Sequence, residues 1–325
     1  MRHWARRGAV ARLLWPAAAA FGAAAALRRA AYRLRLLPSA HPGIRVIVVG
    51  NLSAGGTGKT PLVLWIAEFL RSQGWTPAIV SRGYGAALEA PRAATVASDP
   101  AEVGDEPVVL ARRAGCPVWV GRDRVRVIAA LRAQHAEVDV VVLDDGLQHY
   151  RLRRDLEIAV VDARGFGNGW LLPAGPLREP PRRLAAVHAV VAHQNPRVAG
   201  FAMTLEGETV HCLADARERR SLADFRGQAV HAVAGIGDPN RFFLHLARYG
   251  LRVRPHPFPD HHRFVPAELE FGDDAPVMMT EKDAVKLRGR GKRHWWVLPV
   301  TAELDPAFAG WLQGKLHEWR RPEAA

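Results

Sequence analysis

Short apolar runs alternate with longer amphipathic segments along the chain from residue 44 onward. The first run, Val46-Ile47-Val48-Val49, places four β-branched residues in a row, which suits a parallel strand buried on both faces. The pattern after it predicts strands at 77–80, 118–121, 138–143 and 156–161, and helices at 60–72, 107–114 and 122–134. Strands that alternate with helices predict an α/β fold with a doubly wound parallel sheet.

The same alternation resumes in the last third of the chain. It predicts strands at 229–234, 251–256, 276–280 and 295–300, and helices at 240–249, 282–288 and 306–320. Residues 201–214 alternate like an antiparallel hairpin with its turn at 206–208, whereas 86–101 and 164–188 are typical of loops. We therefore expect two α/β/α domains, at 37–200 and 229–325, joined by a two-stranded β linker at 201–228.

The first predicted strand leads into a glycine-rich turn that opens a helix. The usual phosphate-binding pattern, G-x-x-x-x-G-K-[ST], would put a glycine at position 53, where this chain has a serine. Lys59 is expected to reach the β- and γ-phosphates, and the Thr60 hydroxyl to ligate Mg²⁺. The segment thus predicts a P-loop of variant sequence rather than a turn that binds nothing. The residues expected to bind the nucleotide are Ser53, Ala54, Gly55, Gly56, Thr57, Gly58, Lys59 and Thr60.

Acidic residues follow another predicted strand, which ends in Asp144-Asp145. A single acid at a strand end is commonly a cap or turn residue. In a chain with a P-loop, an apolar strand that ends in aspartate favours a group that holds Mg²⁺, directly or through water. Two adjacent acids allow one to bind the metal and the other to position it, and the sequence leaves their roles open.

Two further segments carry candidate acid–base groups. Asp105 precedes a predicted helix, where it either caps that helix or orients an acceptor hydroxyl near the γ-phosphate. His261 and His262 lie in a predicted loop of the second domain, without further ligands at the spacing of a metal site. A structural histidine and a catalytic histidine that reaches across the interdomain cleft are equally supported for this loop.

Composition and charge narrow the class of protein. With 49% hydrophobic and 24% charged residues, the 325-residue chain is globular rather than disordered. Its two cysteines, Cys116 and Cys212, show neither metal spacing nor a disulfide framework, which fits a reducing compartment. The formal net charge of +13 is concentrated in residues 1–36, which hold eight arginines and no acid: Arg2, Arg6, Arg7, Arg12, Arg28, Arg29, Arg33 and Arg35.

The N-terminal 36 residues are both basic and apolar. Residues 9–27 are about long enough to span a bilayer, but they contain Arg12, Pro16 and Gly22 and consist mostly of alanine. We expect a membrane-associated helix in the cytoplasmic leaflet, with its arginines against anionic headgroups. A secretory signal peptide and a helix packed on the globular body are the alternatives. Nucleic acid is not an expected partner, because the arginines are not interleaved with a stacking platform.

Several strings occur in a fixed order between about residues 46 and 287. They are VVGNLSAGGTGKTPL, SRGYG, VGDEP, DDGLQH, LLPAGPLREP, AGIGDPNRFF, FPDHHRF and TEKDAVKL. Together they closely resemble the tetraacyldisaccharide 4′-kinase (lipid A 4′-kinase) family of Gram-negative bacteria, whose members are membrane-associated P-loop lipid kinases.

This resemblance implies an activity and its partners. The expected reaction transfers the γ-phosphate of ATP, with Mg²⁺, to the 4′-hydroxyl of a tetraacylated glucosamine disaccharide 1-phosphate in lipid A biosynthesis. The expected substrate is thus an anionic glycolipid. The expected location is the cytoplasmic face of the inner membrane, as a peripheral or monotopic monomer.

The resemblance also implies roles for individual residues. Asp105 and His261 would form a dyad that activates the sugar hydroxyl, with Lys59 on the phosphates. The metal would be held by Thr60, Asp144 and Asp145, and Glu179 is expected to join its shell. Arg82, Tyr84 and Arg124 are weaker candidates for nucleotide or substrate contacts. The family often has tyrosine after the histidine of this motif, where the chain has His262.

A P-loop NTPase switch or metallochaperone is the alternative class. Such a protein would need a guanine-reading motif or a cluster of metal ligands. The string Thr280-Glu281-Lys282-Asp283 is superficially similar to the guanine-reading N-K-x-D, but its lysine and aspartate are adjacent. The sequence therefore favours the kinase.

Overall fold

The computed structural model describes residues 4–86 and 88–320. Arg2 of the predicted N-terminal segment, position 87 of the predicted loop 86–101, and residues 321–325 of the predicted second domain lie outside the described residues. Within the described residues the chain forms two sheets, each covered by helices. The mixed α/β fold with parallel sheets that the sequence predicts is thus confirmed.

The larger sheet has nine strands in the order β15-β8-β7-β6-β1-β5-β2-β4-β3, and its central strands are parallel. Hydrophobic residues dominate these strands because helices cover both faces. The strands are β1 (Arg45–Gly50), β2 (Pro77–Ser81), β3 (Arg92–Ala94), β4 (Val118–Val120), β5 (Val140–Asp144), β6 (Leu156–Asp162), β7 (Ala189–His193), β8 (Phe201–Glu206) and β15 (Thr301–Leu304). The helices are α3 (Lys59–Ser72), α4 (Pro100–Val103), α5 (Asp105–Arg113), α6 (Arg124–Gln134) and α9 (Pro306–Arg320).

The smaller sheet has six strands in the order β10-β9-β14-β13-β11-β12. Its strands are β9 (Thr209–Cys212), β10 (Arg219–Ser221), β11 (Ala229–Ala234), β12 (Arg252–Pro257), β13 (Val277–Thr280) and β14 (Trp295–Leu298), and its helices are α7 (Pro239–Arg248) and α8 (Glu281–Ala284). Where a continuous helix is predicted at 282–288, α8 ends at Ala284 and a short 3-10 helix, Val285–Leu287, follows.

The predicted hairpin at 201–214 is wrong. β8 pairs with β7 and β15 of the larger sheet, whereas β9 pairs with β14 and β10 of the smaller one. The chain crosses between the sheets after Glu206 and returns after Leu298. The antiparallel pair at this crossing is therefore β8 with β15, whose register sets Thr301 opposite Glu206.

The predicted extent of the second domain, 229–325, is wrong for the same reason. After β15, helix α9 packs on the larger sheet, where Phe308, Leu312 and Leu316 are buried in the same core as Ile47 and Val49 of β1. Residues 301–320 thus complete the larger sheet and its covering layer. The strands β3, β7, β10 and β15 and the helix α4 are also absent from the sequence-based prediction; four of these elements are only three or four residues long.

Two helices precede the larger sheet, α1 (Ala9–Leu13) and α2 (Trp15–Arg33). Arg29 of α2 forms an ion pair with Glu179 at 3.3 Å, which ties the helix to the body of the protein. Leu13, Leu34 and Leu36 are exposed on this segment. Among the described residues, the helices are too short or too polar for any of them to traverse a lipid bilayer.

Candidate active site

The P-loop lies between β1 and α3, at the carboxyl edge of the larger sheet. Gly55 and Gly58 have φ angles of 97° and 87°, a region that glycine enters without steric cost. Gly58 is the N-cap of α3, so the first N–H groups of this helix have no carbonyl partner within it. The buried Asn51 amide donates to the Thr57 hydroxyl at 3.1 Å and fixes the loop. This geometry fits a phosphate group.

The two strand-end acids stand beside the P-loop, because β5 is the parallel neighbour of β1. Asp145 takes a positive φ of 56° and lies 3.5 Å from the Lys59 ammonium. Arg178 donates to both Asp145 oxygens, at 2.9 and 2.8 Å. Burial opposes ionisation of Asp145, but Lys59 and Arg178 outweigh it and hold its pKa below the usual range. Asp145 is therefore a carboxylate that positions two cations.

The side chain of Asp144 lies in a different environment from that of Asp145. Its side chain is 1% exposed, and its Oδ1 atom has no hydrogen-bond partner. Burial, followed by the charge of Glu106, raises the pKa of Asp144, although Lys59 opposes the shift. A buried carboxylate oxygen without a partner is costly, and a bound cation removes that cost. The site therefore fits Mg²⁺ at Asp144.

Besides Asp144, most ligands of that cation would be groups other than acidic side chains. Within residues 4–86 and 88–320, no cluster of three or more His, Cys, Asp or Glu side chains is arranged to hold a metal ion. Mg²⁺ commonly uses one or two carboxylates together with substrate phosphates and water. A site made by Asp144, the Thr60 hydroxyl and nucleotide phosphates agrees with that preference.

Glu179 lies in a network of donors. Its Oε1 accepts from Gln148 at 3.0 Å, and its Oε2 accepts from Tyr150 and from Arg29. Gln148 also donates to the Asn51 carbonyl at the end of β1, so the network reaches the P-loop. Both carboxylate oxygens are already engaged by protein donors, and the role of Glu179 in the metal shell stays a prediction.

The structure brings Asp105 and His261 together across the cleft. The His261 Nδ1 atom lies 3.1 and 3.0 Å from the two Asp105 oxygens. Asp105 opens helix α5 rather than preceding it in a loop, after Gly104 at a φ of 94°. His261 itself takes a φ of 61°, a conformation that residues other than glycine rarely adopt. Such strain commonly marks a functional position.

Asp105 is held in its ionised form. Burial raises its pKa, but the hydrogen bond from His261 and the charges of Lys282 and Lys286 outweigh burial, and the net shift of the pKa is downward. An ionised Asp105 places the proton of His261 on Nδ1. The Lys282 ammonium lies 3.4 Å from His261 Nε2, which agrees with a lone pair on that nitrogen.

His262 points elsewhere. Its Nε2 atom lies 3.1 Å from Glu268, and its ring contacts the rings of Phe258 and Phe264. Of the two histidines in this loop, only His261 contacts Asp105 among the described residues.

A cavity of about 390 Å³ lies in the cleft between the two sheets. The P-loop and the first turn of α3 form one wall, through Gly56, Gly58 and Thr60. The loop after β11 and helix α7 form the opposite wall. Glu106 and Lys282, 3.2 Å apart, also line the cavity and link it to His261. The cavity thus extends from the phosphate-binding loop to Lys282, which contacts His261 of the Asp105–His261 pair.

Some residues of the site are absent from the sequence-based prediction. Lys282 contacts Glu106, Asp260 and His261, and Arg178 holds Asp145. Both residues lie in strings that the sequence analysis considers: Lys282 in the string compared with the guanine-reading motif, and Arg178 directly before Glu179. Neither string says which charges meet, because the partners are tens to more than a hundred residues away.

The three weaker candidates are placed differently. The Tyr84 ring lies 4.8 Å from that of His261. Arg124 is buried near Asp144 and Asp145, and burial, followed by the charge of Arg82, lowers its pKa to about 10. Arg82 is exposed.

A parallel α/β sheet with a phosphate-binding loop and a strand-end aspartate beside its lysine defines a P-loop NTPase-like protein. The comparisons with known proteins identify one family. A model of the family described as tetraacyldisaccharide-1-P 4′-kinase (LpxK) matches residues 10–317. The chain belongs to this family of kinases, and the resemblance expected from the motifs is confirmed.

Individual relatives agree with this family. The chain is 50% identical to a tetraacyldisaccharide 4′-kinase of Azoarcus sp. (strain BH72) over 327 residues, which cover 98% of this chain and 96% of that protein. It is 52% identical to one of Alkalilimnicola ehrlichii, with 94% and 92% covered. A crystal structure of LpxK from Aquifex aeolicus in complex with ATP matches with a TM-score of 0.77 and 26% identity, covering 94% of this chain and 99% of that one.

Proposed function

We propose that this kinase transfers the γ-phosphate of ATP to the 4′-hydroxyl of a tetraacylated glucosamine disaccharide 1-phosphate, a step of lipid A biosynthesis. Membership of the family supports the reaction. The observation that carries the assignment to this chain's own residues is the contact of Asp105 with His261 across the cleft that contains the P-loop. Transfer to an alcohol requires a base or an orienting group at the acceptor, and this pair can supply both.

His261 is the proposed general base. With its proton on Nδ1 and directed at Asp105, its Nε2 lone pair faces away from that carboxylate. As the acceptor oxygen bonds to the γ-phosphorus, the hydroxyl proton moves to Nε2 and the bond to ADP breaks. Asp105 then stabilises the imidazolium, as carboxylates do in other acid–histidine pairs.

The phosphates are held by the larger domain. We assign the backbone of Ser53 to Thr60 to the phosphate chain and Lys59 to its β- and γ-phosphates. Asp145 keeps Lys59 oriented, since the two groups lie 3.5 Å apart. Asp144 and the Thr60 hydroxyl would hold Mg²⁺. When bound, that ion neutralises charge that develops on the phosphate oxygens.

The N-terminal segment supports a location at a membrane. Arginines and exposed leucines occur together on α1, α2 and the residues that follow them. A lipid substrate does not diffuse freely through water, so a kinase of this kind gains from an anchor beside it. We assign residues 1–36 to the cytoplasmic leaflet of the inner membrane and expect a monomer.

The deciding experiment follows labelled γ-phosphate from ATP to a tetraacyldisaccharide 1-phosphate in detergent micelles. Label is expected on the lipid, and it is expected to be lost in Lys59→Ala. Hydrolysis of ATP without label on the lipid would overturn the proposal and favour an NTPase switch. A second acceptor, the same lipid already phosphorylated at the 4′ position, is the matched control and should gain no label.

A further inference from the structure

A glycine-containing segment of the smaller domain faces the P-loop. It runs through residues 235–241, from the end of β11 into α7. A Cβ atom on Gly237 would lie 2.8 Å from the backbone nitrogen of Gly56. Real Cβ atoms do not approach a backbone atom so closely, so a side chain at this position would force the two loops apart. The smaller domain therefore touches the phosphate-binding loop itself.

Arg241, in the first turn of α7, extends this contact. Its guanidinium lies 3.1 Å from Nδ1 and 3.4 Å from Nε2 of His193. His193 is fully buried, and its Nδ1 atom lies 3.0 Å from the carbonyl oxygen of Thr57. Because a carbonyl only accepts, the contact with Thr57 assigns the His193 proton to Nδ1, so that Nε2, at 3.4 Å, is the nitrogen that accepts from Arg241. Two hydrogen bonds, with His193 between them, thus link the guanidinium to the P-loop backbone.

Arg241 has a charge without a matching anion. Among the described residues no carboxylate forms an ion pair with it, since Asp162 pairs with Arg164 at 2.7 Å. Burial lowers the pKa of Arg241 despite the nearby charges of Asp162 and Asp238. Burial also lowers the pKa of His193 to about 4, so this neighbour is neutral at pH 7. A partly buried cation of this kind is stabilised by a bound anion.

The cavity offers a place for that anion. Arg241 lines it together with Gly56, Gly58 and Thr60 of the P-loop. Arg164 lines it as well and donates to the Gly56 carbonyl at 2.8 Å. Arginine suits a phosphate because its planar fork donates two parallel hydrogen bonds.

We propose that Arg241 binds the phosphate chain of the nucleoside triphosphate from the smaller domain, so that the bound nucleotide bridges both domains. The proposal rests on the proposed function, which supplies ATP as the ligand. Arg241 would act in cis, as an arginine supplied from outside the P-loop domain does at the γ-phosphate of other P-loop enzymes. The family motif AGIGDPNRFF then has a physical meaning: its second glycine permits close approach, and its arginine meets the phosphates.

The test compares Arg241→Ala and Arg241→Gln in the full chain. Glutamine retains a donor for His193 but lacks the charge and the fork. Equilibrium binding of labelled ATP, without lipid, is expected to weaken about 10- to 100-fold in both variants, the range for a lost charge-assisted hydrogen bond. Turnover of Arg241→Ala with the lipid is expected to recover in part when millimolar guanidinium is added. Arg219→Ala, which removes the same charge from an exposed strand, should bind ATP within twofold of the wild type.

Three results separate the possible failures. ATP affinity within twofold of the wild type in both variants would overturn the role of Arg241. Weak binding by the alanine variant but normal binding by the glutamine variant would also overturn it, since Arg241 would then act only through His193. If the wild type binds ATP but transfers no phosphate to the lipid, the proposed function fails, while the comparison of affinities still decides the role of Arg241. If the alanine variant does not fold, the glutamine variant carries the test.

Discussion

At the scale of single residues, the site brings together polar and charged side chains that lie far apart in the sequence. Asp105 and His261 are 156 positions apart, yet they share two contacts of about 3 Å. Asp144 and Asp145 are adjacent, yet burial raises the pKa of the first while cations lower that of the second. Two adjacent side chains of one residue type thus differ in their readiness to ionise because their environments differ, which is why we propose Asp144 as the metal ligand and Asp145 as the group that orients Lys59.

The first prediction concerns the dyad. Asp105→Ala and His261→Ala should each lower turnover by about two to four orders of magnitude, because each removes acid–base assistance. The double variant should lose less than the sum of the two effects, since the residues act as a unit. Steady-state kinetics with all three variants measures this. His262→Ala, which removes the neighbouring histidine that contacts Glu268, is the matched control, and additive losses would contradict the dyad.

The second prediction is a pH dependence of stability. The pKa of Asp105 is lower in the folded protein than in the unfolded chain, so ionised Asp105 stabilises the fold at neutral pH. That contribution is fully present above the unfolded pKa of about 4 and is lost as the pH falls through the folded value. The free energy of unfolding of the wild type should therefore fall toward that of Asp105→Asn on acidification. Asp274→Asn, at an exposed acid, is the control; a constant gap between wild type and Asp105→Asn would count against the shift.

At the scale of secondary-structure elements, the crossing between the sheets decides which helix belongs to which domain. β8 and β15 pair side by side at the crossing, and α9 follows β15 back onto the larger sheet. The aromatic rings of Phe308, Trp65 and Phe201 meet there, with centroids 5.3 to 5.5 Å apart in the pairs that include Phe308. The last helix of the chain is thus part of the nucleotide-binding half.

The third prediction tests that placement. Phe308→Ala should destabilise the protein by about 3–5 kcal/mol, the range for removal of a fully buried phenylalanine side chain. Because the ring packs against α3, ATP-dependent stabilisation should weaken as well. Denaturant unfolding with and without ATP measures both effects. His317→Ala, at an exposed position of the same helix, should change the free energy of unfolding by less than about 0.5 kcal/mol.

At the scale of the whole molecule, the two sheets close on one cavity and the N-terminal segment extends the larger domain. Arg113 of α5 forms an ion pair with Glu281 of α8 at 2.7 Å, and Lys282 bridges Glu106 and Asp260. The ion pairs of Arg113 and Glu106 with α8 thus join the larger domain to the smaller one across the cleft. On the N-terminal segment, Leu13 is 82% exposed and Leu36 is 74% exposed, so apolar area remains for an acyl layer.

The fourth prediction concerns membrane binding. Leu13→Gln combined with Leu36→Gln should lower co-sedimentation with anionic vesicles several-fold, because the anchor loses apolar area. Nucleotide binding should be unchanged, since neither residue lines the cavity. Val96→Gln, at another exposed hydrophobic residue, is the control. Equal sedimentation of the double variant and the wild type would contradict a role for this segment at the membrane.

Local sequence determined the elements whose signals are short-range. The run of β-branched residues before the P-loop became β1, and Gly58 and Lys59 began α3, because backbone preference and burial act over a few residues. The order of the motifs also identified the family. The acids at the end of β5 stand beside the P-loop, since parallel neighbours end at one edge of a sheet.

The meeting of distant segments depends on the folded chain as a whole. The alternation at 201–214 is compatible with a hairpin, but the partner of β8 is β15, about a hundred residues away. The family resemblance points to His261 although His262 is adjacent, and the folded cleft brings His261 into contact with Asp105. Arg241 carries no local sign of the P-loop that it approaches. Which strands pair, which charges interact and which side chains are buried across a cleft depend on the path of the whole chain. A short stretch of neighbouring residues does not contain that information.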